Sequence, residues 1–418
     1  MRITLLRDKG IILGVTGSIA AFKAADLASK LTQAGARVDV ILTDGAQRFV
    51  TPLTFSALTG RRVHTDMWAT EADSEGHVAH VRLGENADLL LVAPASAHTI
   101  AKLAHGLADN LLTLTALAAR CPLLLAPAMD GGMVEHPATR ANLQTLVERG
   151  AIVIEPDEGR FASGLVGRGR LPEPPALLGH VRRALGRKGA LAGRQVLVTA
   201  GGTREALDPV RQLGNRSSGK QGHALAQAAL DAGAEVTLVS SARQLPTPVG
   251  ATRVAVDTAQ EMLEATLAAA RRADALIMAA AVADFRPAQR QTQKLRKREH
   301  GEGLQLELEP TADVLLALAE QRSQGGRPLY LVGFAAESEQ LLQRAAEKLT
   351  RKGLDLVVAN DISAADAGFE VDDNRVVLLS PQRAPEELPL MSKSAVAELV
   401  LARVAGALVQ RAQTGDGG

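Results

Sequence analysis

Short apolar runs, mostly continuous rather than alternating, recur along the whole chain and are separated by stretches of helical periodicity. GIILGV (10–15), RVDVIL (37–42), DLLLVAPA (88–95), PLLLAPA (122–128) and AIVIEP (151–156) form a first set. Continuous runs of this length are what parallel strands covered on both faces require. The intervening SIAAFKAADLASKLTQAG carries its apolar residues on one helical face and ends at Gly35, a helix C-terminal signal. The cycle restarts with QVLVTAGG (195–202), EVTLVSS (235–241), ALIMAAAV (275–282), LYLVGFAAE (329–337) and LDLVVAN (354–360). Two such cycles predict an α/β fold of two doubly wound, mainly parallel-sheet, Rossmann-like domains, with ligands outside the carboxyl ends of the strands. The prolines Pro172, Pro174 and Pro175, with Gly186 and Gly189, mark a linker over about 172–193, between domains at 1–190 and 191–418.

Composition narrows the function classes. The chain has 418 residues, long for one compact domain, and 47 basic residues balance 46 acidic ones. That balance argues against nucleic-acid and membrane-surface partners. Nine aromatic residues (seven Phe, one Trp, one Tyr) are too few for base-stacking platforms. Cys121 is the single cysteine, so no internal disulfide framework exists and a reducing cytosol suits the chain. The start MRITLLRDKG has no long apolar core or cleavage site, and the apolar stretch over 111–129 is broken by Arg120 and Pro122. A cytoplasmic protein is expected.

Two loops invite comparison with nucleotide-binding motifs. In GVTGSIA, Gly14, Gly17 and Ala20 occupy a strand-to-helix turn, a weak match to the dinucleotide fingerprint, with Asp44 in place of the ribose acid. A short-chain dehydrogenase is excluded, because the only tyrosine, Tyr330, is followed four residues later by Phe334 and not by lysine. A helix N-terminus able to hold one phosphate, with Ser18 as a donor, remains, and a mononucleotide fits it at least as well. The second loop, GNRSSGKQ (214–221), resembles a P-loop but lies a dozen residues beyond its strand, and Gln221 replaces the hydroxyl that should meet Mg²⁺. It reads as a Walker site, as a polar surface loop, or as a loop that brings the Asn215 amide to a substrate.

The set GVTGSIAA, AHVRLG, APAS, ADNLL and APAM, followed by DPVRQLGNRSSGKQG and AAAVADFRP, resembles one family nearly end to end. It is similar to the bifunctional phosphopantothenoylcysteine decarboxylases and phosphopantothenate–cysteine ligases of coenzyme A biosynthesis. The resemblance implies a flavoprotein-type first domain and a ligase-type second one. In the first, FMN supplies the electron sink for loss of CO₂ from the cysteine-derived end of the substrate. By resemblance, Gly17, Ser18, Ile19 and Thr43 hold the flavin phosphate end. Ser96, Ala97, His98, Thr99 and Ala128 border the ring, and Asn110 lies at the substrate. His80 in AHVRLG matches the active-site histidine, whose imidazole suits proton movement near pH 7. His77 precedes it by three residues, but no third metal ligand is suggested. Two departures stand out: Asp130 occupies the place of an asparagine that binds the substrate carboxylate, and Ser163 that of a proton-donating cysteine. A thiol near pH 8.5 is a far better acid than a hydroxyl.

For the second domain the resemblance implies activation of 4′-phosphopantothenate by CTP to an acyl-cytidylate, which the amine of cysteine then attacks. Asn215 binds the carboxylate and the acyl-cytidylate, so the second loop is an acyl-activation loop and no P-loop. Asp284 contacts the nucleotide and Ala280 lies beside the cytosine. Lys294, at the head of KLRKR, closes over the triphosphate, while Lys297 and Arg298 read as solvated. Thr311, Asp313 and Val314 fall where the family reads Asn-Pro-Asp-Ile. Phe334, Lys348 and Lys352 match further CTP positions, the two lysines four apart on one helical face. Mg²⁺ is expected on the triphosphate, with no motif for its protein ligands. A homo-oligomer with the flavin at a subunit contact is implied. A rival reading, motivated by Asp130 and Ser163, keeps the ligase and gives the flavin half a regulatory or binding role.

Overall fold

A computed structural model describes residues 3–68, 78–160, 164–296, 303–325, 327–337, 339–361, 372–381 and 383–414. The chain divides into two units, residues 1–185 and 186–418. The first contains β1 (Gly10–Val15), α1 (Ala21–Gln33), β2 (Arg37–Leu42), α2 (Asp44–Gln47), α3 (Pro52–Thr59), β3 (Val63–His64), α4 (Ala79–Asn86) and β4 (Leu89–Ala95). It continues with α5 (Ala97–His105), α6 (Leu111–Ala118), β5 (Leu123–Pro127), α7 (Gly131–Glu135), α8 (Pro137–Glu148), β6 (Ile152–Val153), β7 (Asp157–Arg160), β8 (Val166–Arg170) and α9 (Pro174–Gly186).

Six of these strands form one sheet in the order β3-β2-β1-β4-β5-β6, every pair parallel. This is the doubly wound order whose switch point falls between β1 and β4. Both central strands are buried along their whole length, which explains their lack of alternation. α1 lays Ala21, Ala24, Leu27, Ala28 and Leu31 on the sheet, an i, i+3, i+4, i+7 stripe. The proline-rich stretch read as a linker is different in the structure. Pro174 and Pro175 sit in the first turn of α9, where a missing N–H costs nothing, and Leu177 and Val181 are fully buried in this unit's core.

The second unit contains β9 (Gln195–Ala200), β10 (Arg204–Ala206), β11 (Gln212–Gly214), α10 (Lys220–Asp231), β12 (Glu235–Ser240), β13 (Ala251–Ala255), α11 (Ala259–Ala270), β14 (Ala275–Met278) and β15 (Phe285–Pro287). Then follow β16 (Leu308–Pro310), α12 (Val314–Gly325), β17 (Tyr330–Glu337), α13 (Leu341–Arg351), β18 (Leu356–Asp361), β19 (Asp373–Asn374), β20 (Val376–Leu379), β21 (Glu386–Glu387), β22 (Met391–Ser392) and α14 (Lys393–Thr414). Its main sheet runs β13-β12-β9-β14-β17-β18-β20-β21, parallel as far as β18 and antiparallel at the last two strands. The first six strands repeat the doubly wound order, with a switch point between β9 and β14.

One device recurs at the amino ends of both sheets. Asp88, just before β4, accepts from the first N–H of β1 (Gly10, 2.8 Å) and from Lys9 (2.8 Å). Asp274, before β14, accepts from the first N–H of β9 (Gln195, 2.8 Å) and from Arg327 (2.9 Å). Asp355, before β18, accepts from Leu331 in β17 (2.7 Å) and from Arg411 (2.7 Å). Each carboxylate stitches two neighbouring strands at the edge opposite their carboxyl ends, which leaves those ends free for ligands.

Candidate active sites

In the first unit Gly17, Ser18, Thr43, Ser96 and Ala128 follow the ends of β1, β2, β4 and β5. β1 delivers the turn Thr16–Ser18. The Thr16 hydroxyl donates to the Pro94 carbonyl (2.7 Å) and accepts from the Ser96 N–H (2.9 Å), joining the loops on either side of the switch point. β4 shifts register against β5 between Val92 and Ala95, re-aiming the chain just before Ser96. Gly17 packs closely here: a Cβ would stand 3.2 Å from the backbone of Gly45 in α2, tight enough that the neighbour would have to shift. Thr43 caps α2 by accepting from the Ala46 N–H (3.3 Å), and Ser96 caps α5 through the Thr99 N–H (3.4 Å). The Ser18 hydroxyl reaches the Ala128 carbonyl at 3.5 Å. Ile19 is 63% exposed beside them, and Ala97 and His98 open α5.

Three further residues turn out to be helix starters. Asn110 caps α6 (Thr113 N–H, 3.0 Å), and its amide also donates to Asp109 (3.3 Å). The bond to Lys102 lowers the pKa of Asp109, with the lysine's charge adding to it. Asp130 caps α7 by accepting from the Gly132 N–H at 3.1 Å. An asparagine side chain can cap in the same way, so the departure at Asp130 preserves the local geometry while changing the charge. His80 is half-buried in the first turn of α4, a helix pressed against the end of α6, where a Cβ at Gly84 would meet Ala119 at 3.1 Å. Ser163 and His77 lie outside the described residues. Cys121 is half-buried at the edge of the core, and burial raises the pKa of its thiol.

In the second unit the switch point opens into a cavity of about 1290 Å³ lined by Asn215, Ala280, Asp284, Thr311, Asp313, Val314, Phe334, Lys348 and Lys352. The expected strand 275–282 ends early, at Met278. Beyond it only an isolated backbone bridge, Ala281 to Gly202, continues the pairing, and the rest of this backbone is held by hydroxyls. Ala280 N–H donates to Thr199 (3.1 Å) and Ala283 N–H to Thr203 (2.8 Å), while Thr311 donates to the Ala283 carbonyl (2.5 Å). Residues 279–283 are thereby fixed as a shelf, and the Asn215 amide donates to the Val282 carbonyl at 2.9 Å. The loop from Asn215 ends at Gly219, whose φ of +75° only glycine adopts readily and where a Cβ would stand 2.5 Å from that of Ala242. α10 starts there; its first turn, Lys220 to Gly222, lines the cavity, and Lys220 is paired to Asp372 at 2.7 Å.

Opposite the shelf, Asp313 caps α12 through the Leu316 N–H (3.1 Å) and forms an ion pair with Lys352. Lys352 is only 4% exposed; burial lowers its pKa, and Asp284 pulls the other way. Lys348 donates to the Phe334 carbonyl at 2.6 Å. Lys294 is exposed and does not line this cavity. Sequence reading missed Thr199, Thr203, Asn374 and Lys393, all buried at or beside the cavity. The two threonines sit inside an apolar strand and its following turn, where nothing but a hydroxyl at a strand's carboxyl end signals them.

Fold and geometry together define an α/β protein of two units, each built on a doubly wound sheet with a candidate site at its switch point. The first half matches the model of the flavoprotein family over residues 4–186. The second matches that of the DNA/pantothenate metabolism flavoprotein C-terminal domain over residues 191–408. The Coenzyme A biosynthesis bifunctional protein CoaBC of Bacillus subtilis is 43% identical over 404 residues, covering 96% of this chain and 98% of that protein. That of Mycobacterium tuberculosis (strain H37Rv) is 46% identical over 404 residues, covering 94% and 95%. Among solved structures, the C-terminal domain of a CoaBC protein is 37% identical and covers 53% of this chain and 99% of its own, with a TM-score of 0.45. The FMN-dependent cysteine decarboxylase SpaF is 32% identical and covers 44% and 97%, with a TM-score of 0.38. This chain belongs to the family of bifunctional coenzyme A biosynthesis proteins.

Proposed function

We propose that the second unit joins cysteine to 4′-phosphopantothenate at the expense of CTP, and that the first unit decarboxylates the product to 4′-phosphopantetheine with FMN. The observation that carries this reading is that nine residues, spread from 215 to 352 and implied by the resemblance, line one cavity in the second unit. Asn215 stands at the reacting carboxyl. Its amide is already oriented by Val282, so a donor for a developing oxyanion is in place without burial of another charge. The shelf 279–283 offers backbone to the cytosine, and Lys348 and Lys352 offer cations to the phosphates. Lys352 must then exchange its partner Asp313 for phosphate oxygens. Lys294 supplies a further cation from outside the cavity. Mg²⁺ enters with the triphosphate and neutralises its charge. Among the described residues no group of three His, Cys, Asp or Glu side chains is placed to hold a metal.

The first unit fits FMN by its donor set. Hydroxyls of Ser18, Thr43 and Ser96 and the starts of α2 and α5 gather at the switch point, which suits a phosphate end. The close meeting of Gly17 with Gly45 leaves no side chain over that spot. When bound, the flavin supplies the oxidation and reduction that make loss of CO₂ possible. Ser96–Thr99 and Ala128 border its ring, Asn110 and Asp130 orient the substrate, and His80 moves a proton. Ile19, Phe22 and Leu53, 63%, 62% and 76% exposed, support assembly into a homo-oligomer over this face. Product masses followed with phosphopantothenate, cysteine, CTP and Mg²⁺ test the reading. His80→Asn should stop at phosphopantothenoylcysteine and Asn215→Ala before it.

A further inference from the structure

The hairpin β10–β11 carries Asn215 at its base, and at its tip lies a carboxylate buried without residue. Asp208 has a side chain 0% exposed. Its Oδ1 accepts from the N–H groups of Val210 (2.7 Å) and Arg211 (2.6 Å), closing the tip. Its Oδ2 accepts from the Arg211 guanidinium (2.9 Å) and from the N–H of Leu295 (3.1 Å). Arg211 also donates to the Leu295 carbonyl (3.0 Å), and the Gln291 N–H donates to the Leu207 carbonyl (2.9 Å). The hairpin tip thus grips residues 291 and 295, on both sides of Lys294, which stands outside the cavity lining. The stem is itself anchored, since buried Glu205 accepts from the Ala259 N–H at the start of α11 (2.8 Å).

We infer that Asp208 is a positioning residue for the ligase reaction: one carboxylate holds the Asn215 hairpin and the Lys294 segment in a common frame. Activation of the acyl group then finds its oxyanion donor and its triphosphate cation at a fixed separation. Burial opposes the charge on Asp208, but the N–H groups of Val210, Arg211 and Leu295 and the charge of Arg211 outweigh it, and the pKa lies below the ordinary carboxylate value. The inference rests on the ligase reading given above.

The two oxygens have separate duties, which gives a selective test. Asp208→Asn keeps an acceptor for Val210 and Arg211 but can set an N–H donor against Leu295 and the guanidinium. In the full-length protein, pyrophosphate release from CTP and phosphopantothenate without cysteine should fall about 10- to 100-fold, the scale of a small misplacement. Amide exchange at Leu295 should accelerate while that at Val210 and Arg211 stays slow. In a Lys294→Gln background, read with enzyme in excess over CTP, Asp208→Asn should add less than about 2-fold, because coupled residues are not additive. Leu295→Pro removes the donor from the opposite side and should reproduce the fall even if the Asp208 variant misfolds. Independent, multiplying losses in the double variant, or wild-type pyrophosphate release by Leu295→Pro, would overturn the inference. Should the wild type release no pyrophosphate, the ligase reading fails by itself, and unchanged Leu295 exchange in Asp208→Asn would still refute the tie.

Discussion

At the scale of single residues the ligase site is a set of backbone groups held by buried polar side chains. Asn215 acts only if the shelf it leans on stays put, so its loss and the loss of Thr203 should differ in kind. Asn215→Ala should slow formation of phosphopantothenoylcysteine about 100-fold, the cost of one oxyanion donor. Thr203→Val should leave a buried Ala283 N–H unpaired and lower stability by about 1–3 kcal/mol, read as a shift in thermal or urea midpoint. Gly219→Ala combines a left-handed φ with a Cβ aimed at Ala242, and about 1–2 kcal/mol of backbone strain alone is expected in the same measurement. Residues of this kind are the least legible in a sequence. Thr199 looks like an ordinary β-branched member of an apolar run and Thr203 like an ordinary turn residue, and the task of both depends on a shelf contributed about eighty residues later. Asn215 and Asp284 were legible, but only because a long shared motif pointed to them.

At the scale of elements the sequence was easier to read, because the period of burial is written directly in it. The continuous runs at 10–15, 89–95 and 195–200 are strands covered on both faces, and they emerge at the centres of one parallel and one mainly parallel sheet. Strand ends were harder. β14 stops at Met278 although its apolar composition continues, since beyond it only Ala281 keeps a backbone bridge, to Gly202, while the N–H groups of Ala280 and Ala283 turn to threonine hydroxyls. Most of the stretch read as a linker, residues 174–186, is the helix α9, because prolines placed in a first turn start helices as readily as they end them, and the two units divide at its end. Helix starts carry testable weight. Thr258 and Glu261 form a reciprocal capping box at α11, next to the Ala259 N–H that Glu205 accepts from. Thr258→Ala should therefore cost about 1 kcal/mol in unfolding measurements and loosen the hairpin anchor.

At the scale of the whole molecule, each half contains an imidazole that folding keeps neutral. Burial lowers the pKa of His180 below its ordinary 6.5, with Asp157 opposing. Burial does the same to His223, whose Nε2 is buried with no hydrogen-bond partner among the described residues while Nδ1 meets the Gly219 carbonyl (3.1 Å). The unfolded chain takes up these protons near pH 6.5 and the folded chain only at lower pH. Stability from both groups is therefore full above pH 6.5 and declines as the pH falls below it. Midpoints compared at pH 7.5 and 5.5 should show this loss, and His223→Gln should reduce the slope. The central claim concerns the two halves acting in series. The most direct test supplies the purified chain with 4′-phosphopantothenate, cysteine, CTP and Mg²⁺, records its visible absorbance, and follows product masses with time. A yellow protein that releases CMP and pyrophosphate and passes through phosphopantothenoylcysteine to 4′-phosphopantetheine is the predicted result. A chain that releases no CMP, or that halts at phosphopantothenoylcysteine with flavin bound, would contradict it.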